Sequence, residues 1–348
     1  MDWLLYGANG YTGRLILEEA LRRGLRPVLG GRNREALAEL AAPHGLPVRV
    51  FALDDPGLVA TALQDIGLVL HCAGPFSATA APMLESCLAA GTHYLDITGE
   101  IDVFAHCHAQ DARARDAGIV VLPGAGFDVV PTDCLAALLA RDLPDADALV
   151  LAFEAGGGPS PGTALTSVEG LGKGGRARIG GVVTRVPLAW KTRSFLREGV
   201  ERHAMTIPWG DVYTAHVSTG IPDIEVYMAV SPRTSARLRR LRLLGPLLGT
   251  RPVQAWLKRQ VRARVRGDDA RRRAAAVTTV WGEARTADRR EVRRSLSTPN
   301  GYDLTVTASL GIVERLRAGT AEAGFRTPSQ LMGPDYVLGL PGVVELRS

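Results

Sequence analysis

The run Trp3-Leu4-Leu5-Tyr6-Gly7-Ala8-Asn9-Gly10-Tyr11-Thr12-Gly13 decides the fold. A short, mostly apolar strand leads into three glycines spaced three apart. An amphipathic helical pattern follows, carried by Leu15, Ile16, Glu19, Ala20 and Arg23 and ending near Gly24. Strand, glycine-rich turn and helix, in that order, are the context a dinucleotide-binding fingerprint requires. Gly7 permits the tight turn, Gly10 lets backbone approach a pyrophosphate, and Gly13 lets the helix pack close to the strand. A phosphate would then meet free N–H groups at a helix N-terminus, where the macrodipole also favours it. The expected cofactor contacts are therefore Gly7, Ala8, Asn9, Gly10, Tyr11, Thr12 and Gly13. The spacing is GxxGxxG and not GxGxxG, and a purely structural glycine turn is the competing reading.

The end of the next strand weighs against that competitor. Pro27-Val28-Leu29 runs into Gly30-Gly31-Arg32-Asn33. An NAD enzyme usually places Asp or Glu there for the ribose 2′-hydroxyl. Arg32 instead offers a planar, permanent cation with a forked set of donors, suited to a 2′-phosphate. The expected cofactor is thus NADP(H). Asn33 is placed to add a donor and to cap the helix that starts at Arg34.

Strands and helices then keep alternating. Val48–Leu53, Gly67–Cys72, His93–Ile97 and Ile119–Leu122 read as strands. Such alternation implies a parallel sheet with right-handed crossovers, whose strand ends share one ligand-binding edge. The expected fold class is α/β: a Rossmann-type parallel-sheet domain over 1–135, then a second, mixed α/β substrate domain. Asp54 is expected near the adenine. The loops Cys72-Ala73-Gly74-Pro75 and Asp96–Glu100 are expected to border ribose and nicotinamide.

The pattern changes near Asp147. The substrate domain is assigned to 136–310 and a C-terminal segment to 311–348. Ala148–Phe153, Val182–Leu188, Asp211–Ser218, Ile224–Val230, Ala275–Trp281 and Leu304–Ala308 read as strands. A glycine-rich loop at 156–163 precedes a helix over 164–171 that Thr163 is placed to cap.

Charge is uneven. Residues 233–273 hold 14 Lys and Arg against two Asp, leaving 27 basic and 34 acidic residues elsewhere. The net charge of +5 therefore belongs to one segment. Leu238, Leu241 and Leu244, and then Val253, Trp256, Leu257 and Val261, fall at helical spacing, which predicts two amphipathic helices parted by Gly245-Pro246. Besides a solvated domain edge, this segment suits an acidic carrier protein or anionic lipid. No aromatic-interleaved motif points to nucleic acid. Without a long apolar run, a signal-peptide pattern or a CxxC pair, the expectation is a cytoplasmic protein, or one peripheral at a membrane surface, with reduced thiols and no transmembrane segment. The sequence says nothing of its oligomeric state.

No Tyr-x-x-x-Lys occurs, and the chain has three lysines, Lys173, Lys191 and Lys258, so the short-chain dehydrogenase pair is excluded. The candidate proton donors are Asp96, Glu100, Asp128, Tyr213 and His216. Asp96 and Asp128 could equally tie loops. His106-Cys107-His108 is not read as a metal site, because residues two apart on a helix do not share a face. No metal is expected.

Several motifs together resemble the saccharopine dehydrogenase-like oxidoreductases, above all the bacterial branch of trans-acting enoyl reductases. They are GANGYTGRL at 7–15, GGRN at 30–33, CAGPF at 72–76, YLDITGE at 94–100 and PGAGFDVVPTD at 123–133. IPWGDVYTAHVSTGIPDIEVYMA at 207–229, VWGEA at 280–284, GYDLTVTASL at 301–310 and TPSQLMG at 327–333 complete the series. The resemblance implies NADP(H) dependence, a Rossmann domain, a mixed α/β substrate domain and a C-terminal segment returning toward the first. On the substrate side it points to Phe127, Gly162 and Thr163, although the family usually carries glycine where Pro161 stands. Reduction of an activated C=C bond, on an acyl or polyketide chain held by a carrier, is the leading functional expectation. The alternatives are an imine-forming amino-acid reductase, with Arg176, Arg178 and Arg185 holding substrate carboxylates, and a non-catalytic NADP-binding or lipid-associated protein.

Overall fold

Seven parallel strands form the first sheet. The computed structural model describes residues 1–157, 161–197, 200–264, 275–319 and 321–346. Strands β1 (Trp3–Tyr6), β2 (Val28–Gly31), β3 (Val48–Val50), β4 (Leu68–His71), β5 (His93–Asp96) and β6 (Val120–Leu122) alternate with helices. The C-terminal region adds β15 (Gly324–Phe325), giving the order β15-β6-β5-β4-β1-β2-β3. Leu5 sits opposite Leu29 on one side and Leu70 on the other, and all four residues of β1 are buried. A parallel sheet covered on both faces calls for such unbroken apolar strands. The helix Tyr11–Arg22 buries Gly13, Ile16, Leu17 and Ala20, one face at helical spacing.

The second sheet is mixed. It holds β7 (Ala148–Glu154), β8 (Gly175–Ile179), β9 (Val182–Val186), β10 (Thr192–Arg197), β11 (Val200–Thr206), β12 (Asp223–Ala229), β13 (Val277–Arg285), β14 (Glu291–Pro299) and β16 (Val344–Leu346). Its order is β10-β11-β12-β7-β13-β14-β16, with β8 and β9 branching from β12. β7 and β12 run parallel, and the other pairs are antiparallel. Gly282 admits the helix Val130–Asp142 closely: a Cβ there would stand 2.4 Å from Leu139. The chain divides into two compact units, Met1–Val130 with Gly301–Pro341, and Pro131–Asn300 with Gly342–Ser348.

Two stretches expected as strands are helices. Residues 304–308 lie inside the helix Gly301–Arg317, and 211–218 lie inside the helix Asp211–Thr219. Both are rich in β-branched residues, which suggests strand. Their hydroxyls instead bond back onto the preceding turn: Thr305 to Gly301 O at 2.7 Å, Thr307 to Asp303 O at 3.1 Å, and Thr219 to Ala215 O at 2.6 Å. Helix burial then overrides propensity, since Leu304, Ala308, Leu310, Ile312 and Val313 are fully covered. The helix expected from 164 begins at Pro161, a residue suited to a first helical position, so Gly162 stands within its first turn and not in a loop. Residues 158–160 of the glycine-rich loop and the Thr163 side chain lie outside the described residues.

Of the basic segment, 265–273 lies outside the described residues, apart from which the chain forms helices Pro232–Leu241, Gly245–Leu248 and Arg251–Arg264. Gly245-Pro246 starts a short third helix where only a break was expected. Among the described residues, no helix is long and apolar enough to cross a membrane, and no cluster of three or more His, Cys, Asp or Glu could hold a metal ion.

Candidate functional site

The site is built at the carboxyl edge of the first sheet, where the loops after β1, β2, β4, β5 and β6 emerge together. Gly7 holds φ +86°, a conformation that favours glycine. Its N–H donates to Gly30 O at 2.8 Å, and Gly10 N donates to Gly7 O at 3.0 Å, closing the turn. A Cβ on Gly13 would stand 2.3 Å from Gly7 O, and one on Gly7 would stand 2.9 Å from Ala73 N. The glycines therefore bring three backbones together: the loop, the following helix and the Cys72–Pro75 loop. Gly10 caps the helix with no side chain, which leaves first-turn amides to face the loop.

Arg32 lies at the end of β2, exposed, and makes no ion pair among the described residues. Tyr6, buried at the end of β1, donates to Phe51 O at 3.1 Å. Burial raises its phenol, the Arg32 cation opposes that shift, and Asp54 adds to it. Arg32 and Asp54 thus act at one corner of the sheet edge. Asn33 takes up a structural role, its side chain accepting from Ala36 N at 3.0 Å as the cap of the helix Arg34–Ala41.

The Cys72–Pro75 loop is tied from beneath by His71. This ring is fully buried against Tyr6, Phe76 and Tyr94, and its Nε2 meets Thr79 Oγ1 at 3.0 Å. Burial depresses its pKa to about 3, so it is a neutral ring. Thr79 donates in turn to Ala73 O at 2.8 Å. Burial, together with the nearby Asp96, pushes the Cys72 thiol well up, so it is no nucleophile. The polar end of an otherwise apolar strand is the sequence signal that could have drawn attention to His71.

Three carboxyls meet at this edge, and the structure separates their roles. Asp96 is fully buried and saturated. It accepts from Tyr94 Oη at 2.6 Å, Thr98 N at 2.9 Å and Gly124 N at 2.9 Å. Burial still lifts its pKa to about 6, although these donors oppose the shift. Its place is that of a loop tie joining β5 to β6. Glu100 accepts from Phe76 N and Ser77 N, both at 3.0 Å, and so caps the helix Phe76–Ala90 across the sheet edge. The turn Asp96-Ile97-Thr98-Gly99-Glu100 is a pair of overlapping side-chain turns, with Glu100 N donating to Thr98 Oγ1 at 3.0 Å. That D-x-T-x-E spacing was the available signal for it.

Asp128 differs from both. It is half-buried and makes no hydrogen bond or ion pair among the described residues. Its Oδ2 would stand 2.7 Å from a Cβ on Gly99. Burial, and then the Glu100 charge, raise its pKa to about 7. The loop carrying it is anchored by Phe127 N, which donates to Thr305 Oγ1 at 2.9 Å, and the buried Phe127 ring lies over Gly301. Phe127 thus packs a loop in place.

The remaining candidates belong to the other unit. The Tyr213 ring lies beneath Arg178, 5.6 Å from its guanidinium carbon. His216 Nδ1 meets Ile221 O at 2.9 Å beside a helix end. Arg178 donates to Val212 O at 2.9 Å and Gly181 O at 2.6 Å, while Arg176 and Arg185 reach Lys173 O at 3.3 and 3.2 Å. These three arginines tie backbone carbonyls.

Residues 3–122 match the family model of the saccharopine dehydrogenase NADP binding domain. By this match the first 122 residues carry a saccharopine dehydrogenase-type NADP binding domain. Its cofactor is NADP(H), and the residues here fit that group: a glycine cradle that a Cβ would fill, an uncapped helix start and an unpaired arginine at the β2 end. A Mycobacterium tuberculosis protein provisionally named a trans-acting enoyl reductase is 32% identical over 194 residues, covering 49% of this chain and 44% of its own. A mouse saccharopine dehydrogenase-like oxidoreductase is 27% identical over 150 residues, 37% of this chain and 35% of its own. The matched stretch thus spans less than half the length of these relatives. Apo saccharopine dehydrogenase (L-Glu forming) from Saccharomyces cerevisiae covers 99% of this chain and 100% of its own with a TM-score of 0.66 at 12% identity, a likeness of fold.

Proposed function

We propose that this chain is an NADPH-dependent oxidoreductase that reduces an activated C=C bond of an acyl thioester, free or on a carrier. NADPH held by the Gly7–Gly13 cradle and Arg32 would supply the hydride for the substrate β-carbon. The observation that carries the reading is Asp128, an unpartnered carboxyl of near-neutral pKa at the same sheet edge as the dinucleotide cradle. A general acid works best when its pKa lies near the operating pH. Asp128 holds the proton at its carboxyl oxygen and delivers it to the substrate α-carbon. Its half-buried side chain then regains a proton from solvent. Asp96 and Glu100 position the surrounding loops, and Arg32 selects the 2′-phosphate. The enoyl reductase name of the mycobacterial relative supports the substrate class. The imine-forming alternative is weakened because Arg176, Arg178 and Arg185 already serve backbone carbonyls.

The test is NADPH oxidation, followed by absorbance, with enoyl thioesters both free and carrier-bound. Turnover of either supports the proposal. Cofactor binding with no oxidation across both sets overturns it.

A further inference from the structure

The basic helices of the second unit carry a surface that the reductase chemistry does not use. Residues 233–264 hold ten Lys and Arg and no Asp or Glu. On the helix Pro232–Leu241, Arg233, Arg237 and Arg240 project from one face at helical spacing. They line an open groove of about 420 Å³ whose apolar wall is Ala236, Leu241 and Leu244. All three arginines are exposed, and none makes an ion pair among the described residues.

The helix Arg251–Arg264 continues the pattern. Gln254 and Lys258 turn toward the helix Pro161–Leu171, bonding to Val168 O at 3.0 Å and to Glu169 at 2.6 Å. The opposite face therefore turns to solvent, and it carries Trp256 and Arg259. Trp256 is 60% exposed, Leu247 57% and Leu244 50%.

We propose that these basic helices dock on a membrane surface bearing anionic phospholipids. Arg233, Arg237 and Arg240 would take phosphate headgroups in their groove, and Trp256, Leu247 and Leu244 would enter the boundary with the acyl chains. Two features favour lipid over an acidic protein. A protein interface surrounds a closed apolar centre with a polar rim. Here Leu244, Leu247 and Trp256 are exposed among arginines, the arrangement by which an amphipathic helix lies in a headgroup layer. Charge complementarity supplies the rest, because a basic segment is drawn to an anionic leaflet over a Debye length.

Co-sedimentation of the full chain with vesicles tests this. Vesicles of phosphatidylcholine and phosphatidylglycerol in equal parts should bind it, pure phosphatidylcholine should not, and raised salt should release it. Each arginine removed should weaken binding about fivefold, so the triple variant R233A/R237A/R240A should lose on the order of a hundredfold. Vesicle binding should also shift tryptophan emission to the blue, and Trp256→Phe should abolish that shift. Circular dichroism and melting of each variant establish that it is folded. Equal binding to neutral and anionic vesicles overturns the proposal. So does full binding by the folded triple variant, or binding of an acidic acyl carrier protein through these arginines with no binding to vesicles.

Discussion

The Asp128 carboxyl rests on the backbone of Gly99, so closely that a β-carbon at Gly99 would stand 2.7 Å from its Oδ2. That contact sets the position of the proposed proton donor. Gly99→Ala should push Asp128 aside while leaving the glycine cradle intact. Turnover should fall at least tenfold, with NADPH affinity within about twofold of the parent. Steady-state kinetics paired with cofactor titration checks this, and an equal fall in both would place Gly99 in general folding instead.

Asp128→Asn removes the proton without changing the side-chain shape. Turnover should drop on the order of 10²- to 10⁴-fold, and the parent's activity should fall as pH rises through about 7, where Asp128 loses its proton. The stability effect has a definite sign. The folded pKa lies above the ordinary carboxyl value, so folding favours the protonated form and stability declines as pH rises through the window from the ordinary value to about 7. Asn carries no charge, so the variant should melt higher than the parent at pH 8, by roughly 2–4 °C for each kcal/mol relieved. Calorimetry at pH 5 and pH 8 reads the difference.

Glu100 links a helix cap to the acidity of Asp128. Glu100→Gln should cost about 0.5–2 kcal/mol through weakened capping of Phe76 N and Ser77 N. It also removes the negative charge that helps raise Asp128. The alkaline limb of the pH–rate profile should therefore move to lower pH. An unmoved limb would separate Asp128 from the observed titration.

Arg32 should decide between the two dinucleotides. Arg32→Ala should weaken NADPH roughly ten- to a hundredfold, the loss of a charge-assisted contact, and leave NADH nearly unchanged. Binding of each cofactor, followed by fluorescence, gives the ratio. Equal losses would remove Arg32 from the 2′-phosphate.

Much of the first sheet was legible because its signals are local. A buried parallel strand is a short apolar run, and a dinucleotide turn must place glycine where a Cβ would strike backbone, as at Gly7 and Gly13. The helices Gly301–Arg317 and Asp211–Thr219 were misread because Thr and Val favour strands in isolation. Only the packed context made their hydroxyls back-bond within a helix. Strands β8, β10, β11, β14 and β16 escaped reading, since each is short, mixed in polarity or covered on one face only.

The carboxyls mark the boundary most clearly. Asp96 and Asp128 look alike in sequence, each in a loop after an apolar strand. Sequence alone determined the βα alternation, the glycine cradle and the arginine that suits a 2′-phosphate, because each depends on neighbours within a few residues. Which carboxyl is saturated and which remains a poised acid was decided only in the tertiary structure. Hydrogen-bond partners and burial arrive from β4, β5 and β6 loops far apart in the chain, and those two quantities set a carboxyl's charge.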